Sequence, residues 1–257
     1  MNEVKTSPLK TKKTALYILL IYMACQLSSF LLILFPPLKE YVFSLVDAPT
    51  VKEQALILSG YWSTGSFALA TLLILIFIWL DKEFWNIFKG PKSSPGEIIG
   101  WGILGFFLIY IGQILAVRVE ILIFGIEPGS DNTEQLSNIM KSAPVMIFSA
   151  VIFAPILEEI IFRRVIFGSL IQKYNFWISA IVSGVVFSAI HLEFEHLLLY
   201  AVCGLIFAFL YYKTKSIWTS IIAHMLLNGS VTLIQFYYEP IMDFLERNSK
   251  PLFIFFS

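Results

Sequence analysis

The chain has 257 residues, of which 58% are hydrophobic, 16% aromatic and only 14% charged, with zero formal net charge and a mean hydropathy of +0.78. Soluble domains carry about a quarter charged residues, so the composition excludes an ordinary soluble globule, and the missing basic excess gives no ground for nucleic-acid binding. Long, continuous apolar runs predict an all-α, polytopic transmembrane helical bundle and exclude a β-barrel, whose strands would alternate.

In chain order, residues 1–14 read as a basic, polar tail with Lys5, Lys10, Lys12 and Lys13. The apolar run behind it is too long for a signal-peptide core and lacks a small-x-small cleavage site, which predicts an uncleaved first span. That span runs from Ala15 to Phe35 and stops at Pro36-Pro37. Residues 38–58 mix charged and apolar positions and suggest an interfacial helix. The second span covers Gly60–Leu80 and the third Ile98–Val117, joined by a Pro- and Lys-containing loop at 83–97. Residues 118–142 form the longest polar loop. The fourth span, Pro144–Ile171, is about 28 residues long, which predicts a tilt, a break near Pro155 or a projection beyond the bilayer. The fifth, sixth and seventh spans are Phe176–His191, His196–Tyr212 and Ile217–Phe236.

This amounts to about seven to eight spans enclosing a membrane-buried cavity. A single transmembrane domain occupies 15–236, its motif-bearing core lies at 144–232, and 237–257 form a C-terminal tail whose last residues, Pro251 to Ser257, are expected at the interface. With the N-terminus inside, twelve Lys and Arg residues fall on the cytoplasmic face and six on the other, so the charge bias predicts a cytoplasmic N-terminus. Cys25 and Cys203 lie in apolar runs without a CxxC spacing, which argues against a structural disulfide or a zinc–thiolate site.

Three polar constellations interrupt the apolar helices: Glu158-Glu159-x-x-x-Arg163, Phe187-x-x-x-His191 and His224-x-x-x-Asn228. An ionisable group at membrane depth costs at least ~2.5 kcal/mol, so such a cluster is expected to have a use. Residues four apart share a helix face. Glu159 and Arg163 therefore pair within one helix and leave Glu158 without that counter-ion. Glu158, His191, His224 and Asn228 can then face one cavity. A desolvated carboxylate can act as a general base. A histidine on the same water would position it, and a second histidine with an amide could stabilise an oxyanion. Together they describe water attack on a peptide carbonyl. Two histidines and a carboxylate could also hold Zn²⁺ with an open position, although no HExxH is present.

These motifs, in this order on successive hydrophobic helices, resemble those of the CPBP family, the CAAX prenyl protease and bacteriocin-processing proteins, also called the abortive-infection family. The resemblance covers about residues 144–232 and extends to the lead-in Lys213-Thr214-Lys215-Ser216-Ile217-Trp218, where the family more often has Gly than Lys before the Ser. It implies a glutamate-dependent intramembrane endopeptidase. By carry-over, Glu158 is the base, His191 its partner, and His224 and Asn228 stabilise the oxyanion, with Glu159 and Arg163 supporting the first motif. Family members are often labelled metalloproteases, whereas the eukaryotic type II members resemble enzymes that work without a bound metal. The implied cofactor is therefore none, or a divalent metal such as zinc held by Glu158, His191 and His224. The implied partners are a peptide or protein substrate presented at the membrane and the lipid bilayer. A compact chain resembles the bacterial members, linked to peptide maturation, bacteriocin processing and immunity, and located in the plasma membrane. A non-catalytic scaffold or immunity protein of the same fold is the alternative, and a proton-relaying transporter a third.

Blander roles are expected elsewhere. Arg164 would snorkel to the interface, His196 with Glu193 and Glu195 would form a solvated turn, and Phe187 would be packing. Gly100, Gly102 and Gly105 would permit close helix approach. Asn228-Gly229-Ser230 spells a glycosylation sequon but lies within a span. At ~1.5 Å rise per residue, His191 lies about 22 Å along its span and His224 about 10 Å into its own. Bringing them together requires tilt, a short fifth span or a dipping connection between the fifth and sixth.

Overall fold

The computed structural model describes residues 4–127 and 129–248. Among these, the secondary structure is helical throughout, apart from one isolated antiparallel bridge between Val4 and Phe88. The chain forms a polytopic helical membrane bundle. Four helical stretches are long and apolar enough to cross a bilayer: Val51–Leu80, Pro95–Phe124, Phe194–Thr214 and Ile217–Tyr238. Leu9–Gln26, the continuous helical stretch 146–170 and the short Phe176–Ala189 complete the bundle. Large apolar side chains such as Leu69, Leu72 and Trp79 point outward, as expected where lipid is the solvent.

Several boundaries differ from those expected, each for a local reason. The first helix starts at Leu9, inside the supposed tail, because Lys5 N–H is held by the Ile87 carbonyl at 2.7 Å and Thr11 and Thr14 are buried. It ends at Gln26, and a short helix, Phe30–Leu34, follows. Pro36 opens the next helix, Pro36–Ser44, at its first turn, where a missing N–H is harmless. Thr50 caps the helix at Val51 by accepting Glu53 N–H. Ser94 and Glu97 form a reciprocal capping box ahead of Pro95. The expected polar loop at 118–142 contains a π-helical turn, Glu120–Phe124, and a twelve-residue helix, Asp131–Ser142. The last helix runs on to Asn248 through Pro240, so 237–248 are helical and not tail. The interfacial placement expected for 251–257 lies outside the described residues.

The break expected near Pro155 takes the form of a π-helical turn, Ser149–Phe153, in which Ala154 N–H bonds to the Ser149 carbonyl five residues back. In the same register the Ala150 carbonyl would need an N–H from position 155, and proline has none. A further π-helical segment, Glu159–Phe167, follows directly on Glu158 and carries the rest of the first motif. Such π-turns commonly mark functional sites.

The Phe176–Ala189 helix has 14 residues, about 21 Å at 1.5 Å per residue, well short of a ~30 Å hydrocarbon layer. His191 therefore sits in a turn at the end of a short helix, and the connection at 190–192 reaches the central cavity. His191 and His224 thus line one cavity despite their different distances along their helices. The short helix lies against the 197–214 helix at a glycine contact, where a Cβ on Gly204 would meet the Gly184 Cα at 2.6 Å. Gly102 and Gly105 also permit close approach, to Ile222 and Leu210, whereas nothing lies within 4 Å of a Cβ on Gly100, which faces outward. Both cysteines are free and buried.

We expect Gly204→Ala to destabilise the detergent-solubilised protein by about 1–3 kcal/mol through overpacking, and Gly100→Ala to leave the melting temperature unchanged or raised. Equal effects at the two positions would contradict the close approach.

Candidate active site

The site is built on three elements. The 146–170 stretch supplies Glu158, Glu159 and Arg163. The turn after helix 176–189 supplies His191, and the long C-terminal helix supplies His224 and Asn228. Glu158, His191, His224 and Asn228 all line one cavity of about 510 Å³.

His224 is the centre of the arrangement. Its Nδ1 lies 2.9 Å from Glu159 Oε1, and its Nε2 lies 3.7 Å from Glu158 Oε2. One imidazole thus touches both carboxylates. Glu159 Oε2 also contacts Arg163 Nε at 3.2 Å, the expected intrahelical pair, with both side chains fully buried. Glu158 lacks the Arg163 counter-ion, as expected, and faces the cavity with His224 Nε2 beside it. Its side chain is 13% exposed, against 0% for Glu159.

Arg163 is held by more than its carboxylate. Its guanidinium carbon lies 4.5 Å from the Phe187 ring centroid and 4.8 Å from that of Phe207, a cation–π sandwich in a dry environment. Nη1 and Nη2 have no hydrogen-bond partner among the described residues, so the rings supply what solvent cannot. Phe207 also stacks on His224, with centroids 4.6 Å apart and planes 25° apart. Phe187 meets His191 and His224 edge-on, so it is core packing that also shapes the site.

His191 Nδ1 lies 2.9 Å from the Phe187 carbonyl. A carbonyl only accepts, so Nδ1 carries the proton and Nε2 presents a lone pair when the ring is neutral. Asn228 Nδ2 donates to the Ala150 carbonyl at 2.9 Å, the acceptor that Pro155 leaves without a helical partner. This anchors one amide hydrogen of Asn228 and fixes the side chain beside the cavity, in the interior of a helix and not at an exposed sequon.

Other residues fall in different places from those expected. Arg164 does not snorkel: it is buried, its Nε donates to the Phe84 carbonyl, and its guanidinium lies 4.2 Å from the Phe84 ring. The turn at 193–196 is solvated only in part: Phe194 and Glu195 are exposed, while Glu193 and His196 are engaged. His196 Nδ1 pairs with the buried Glu120 at 3.0 Å, and Glu120 also accepts Leu199 N–H at 3.1 Å. Glu193 accepts from Ser130 Oγ, from Asn132 N–H at 2.8 Å and from the Tyr200 hydroxyl at 2.5 Å. Burial pushes the Glu193 carboxyl up, but these donors outweigh it and hold it below its ordinary range. The stabilisation from these bonds is accordingly full above the unfolded carboxyl pKa and is lost as pH falls through the lower folded one.

Four residues near the site carry no motif signal: Tyr22 and Gln26 from the first helix, Tyr200 and Phe207. Gln26 lines the cavity and donates to Tyr22 Oη at 3.1 Å. The single available signal was polarity, a glutamine at the end of an apolar run. Tyr200 and Phe207 lie in an aromatic-rich helix where nothing sets them apart.

A divalent ion would draw on Glu158, His191 and His224. Among the described residues, no group of three His, Cys, Asp or Glu side chains is gathered closely enough to share an ion, so the donor set does not fit one.

A helical membrane bundle thus encloses acid, imidazole and amide groups in one cavity. The chain belongs to the Rce1-like family of type II CAAX prenyl endopeptidases, whose family model matches residues 140–230. It is 38% identical over 242 residues to a Bacillus subtilis (strain 168) protein named provisionally as the membrane peptidase YdiL, covering 94% of this chain and 96% of the relative. It is 37% identical over 172 residues to the membrane-embedded CAAX protease MroQ of Staphylococcus aureus (strain USA300), covering 65% of this chain and 69% of that one. No solved structure matches the chain.

We expect Arg163→Met alone to cost about 3–5 kcal/mol, because it leaves the buried Glu159 carboxylate without its cation and with only the His224 contact. The double variant Glu159→Gln/Arg163→Met should recover part of that loss in thermal unfolding. A single Arg163→Met variant as stable as wild type would refute the pairing.

Proposed function

We propose that the protein is an intramembrane endopeptidase in which Glu158 and His191 activate a water for attack on a peptide carbonyl. The observation that carries this reading is the meeting of Glu158, His191, His224 and Asn228 at one cavity, with His191 Nδ1 committed to a backbone carbonyl. That commitment leaves two acceptors, the Glu158 carboxylate and His191 Nε2, for the two hydrogens of a water. The oxygen lone pair then faces the substrate.

As the oxygen attacks, its proton passes to Glu158. The carbonyl oxygen takes up negative charge, which the second amide hydrogen of Asn228 and, with the ring doubly protonated, the Nε2–H of His224 would stabilise. Glu159 and Arg163 act through His224: the carboxylate fixes its Nδ1–H and the guanidinium offsets the carboxylate. Collapse of the tetrahedral intermediate breaks the C–N bond, and Glu158 returns its proton to the leaving amine. No step is routed through a metal.

The substrate is a peptide or protein segment presented at the membrane, in keeping with the peptidase and CAAX protease names of the relatives. Maturation of peptides or C-terminal segments is the role we assign. The Lys and Arg bias supports a cytoplasmic N-terminus in a bacterial plasma membrane.

Membrane peptidomics comparing wild type with Glu158→Gln should show the uncleaved precursor accumulating. The peptide so mapped, made as an internally quenched substrate, should be cut by purified Glu158→Gln protein roughly 10²–10⁴-fold more slowly. Asn228→Ala should lower kcat roughly 10²–10³-fold with KM held. Full cleavage by Glu158→Gln would sink the mechanism. Full cellular function without cleavage would point instead to a scaffold or immunity protein of the same fold.

A further inference from the structure

The turn after His191 carries an arrangement that this chemistry does not use. Leu192, 74% exposed, holds a φ of 59°. For a non-glycine residue, that left-handed conformation costs roughly 1–2 kcal/mol and persists only where the surroundings over-determine it. Contacts on both sides do so. Before it, the His191 ring stacks on Tyr200, with centroids 4.1 Å and planes 22° apart. After it, Glu193 binds the Tyr200 hydroxyl at 2.5 Å, and it binds Ser130 and the Asn132 N–H at the start of helix 131–142. Tyr200 is therefore shared, its face bearing on His191 and its hydroxyl on Glu193. The carboxylate meets the positive end of the helix dipole. His196, also near Glu193, is engaged by Glu120.

We propose that Tyr200 and Glu193 are positioning residues for His191: Glu193, clamped to helix 131–142, fixes the Tyr200 ring, and that ring fixes the plane in which His191 Nε2 meets the water. The proposal rests on the reading of His191 as the water's partner. The Nδ1 hydrogen bond and the edge of Phe187 hold one side of the imidazole, and the stacked Tyr200 ring fixes its plane. Helix 131–142 also forms a cavity wall through Asn132, Thr133, Leu136 and Met140. A displacement of this wall is thereby transmitted to His191.

The chain contains three histidines, His191, His196 and His224, so the test has a readout independent of cleavage. Full-length protein labelled with ¹⁵N-histidine in nanodiscs should give three imidazole environments, assigned with His191→Gln and His196→Gln. We expect Tyr200→Leu and Glu193→Ala to move the His191 signal while His224 stays in place. Tyr200→Phe, which keeps the ring and loses the donor, should move it less, and Glu193→Gln, which still accepts, least. With the quenched peptide, Tyr200→Leu should lower kcat about 10- to 100-fold by misplacement with KM nearly unchanged, and Tyr200→Phe should restore most of it. An unmoved His191 signal in both stronger variants, or all three signals moving together, would overturn the proposal. Normal cleavage by Glu158→Gln would overturn the proposed function alone and leave the signal pattern intact.

Discussion

The structure depends on one imidazole held between two carboxylates in a dry interior. His224 ties Glu159, and through it Arg163, to Glu158 at the cavity. Isolated charges at this depth would be untenable. Gathered together, two acids, a guanidinium and an imidazole offset one another, with Phe187 and Phe207 closing over the cation. The long C-terminal helix and the 146–170 stretch must therefore pack in one register, because a slip would strand several charges at once.

Around that centre, the backbone is deformed where function needs it. Pro155 and the π-helical turn before it leave the Ala150 carbonyl open, and Asn228 closes it. The π-helical segment at 159–167 carries Glu159 and Arg163, and Ser183 donates to the Phe162 carbonyl within it at 2.7 Å. Each irregularity has a side-chain partner on a neighbouring helix, as buried backbone in lipid requires. The polar groups of the site thus also satisfy the helices that carry them.

Much of this was legible in the sequence, because charge inside an apolar run is a loud signal. The helical class, the Glu159–Arg163 pair and the convergence of Glu158, His191, His224 and Asn228 followed from hydropathy and spacing. Spacing along one helix failed where a partner came from another. The contact of His224 with both acids, the burial of Arg164 against Phe84 and the pairing of His196 with Glu120 are all cross-helix events. The 118–142 segment has the polarity of a loop, yet Ser130 Oγ and the incoming Glu193 carboxylate supply the acceptors that the first N–H groups of a helix need there. Tyr200 and Phe207 were invisible, since one aromatic among many carries no periodic mark.

The short 176–189 helix has a consequence for supply. Each cut of a peptide bond uses one water, yet the hydrocarbon layer holds almost none. A helix of 14 residues cannot span that layer, so the aqueous phase comes closer to the bundle centre here than beside a 30-residue helix such as Val51–Leu80. The polar turn at its end shortens the route further. Under the proposed function, this is the side from which the scarcest reactant would reach His191.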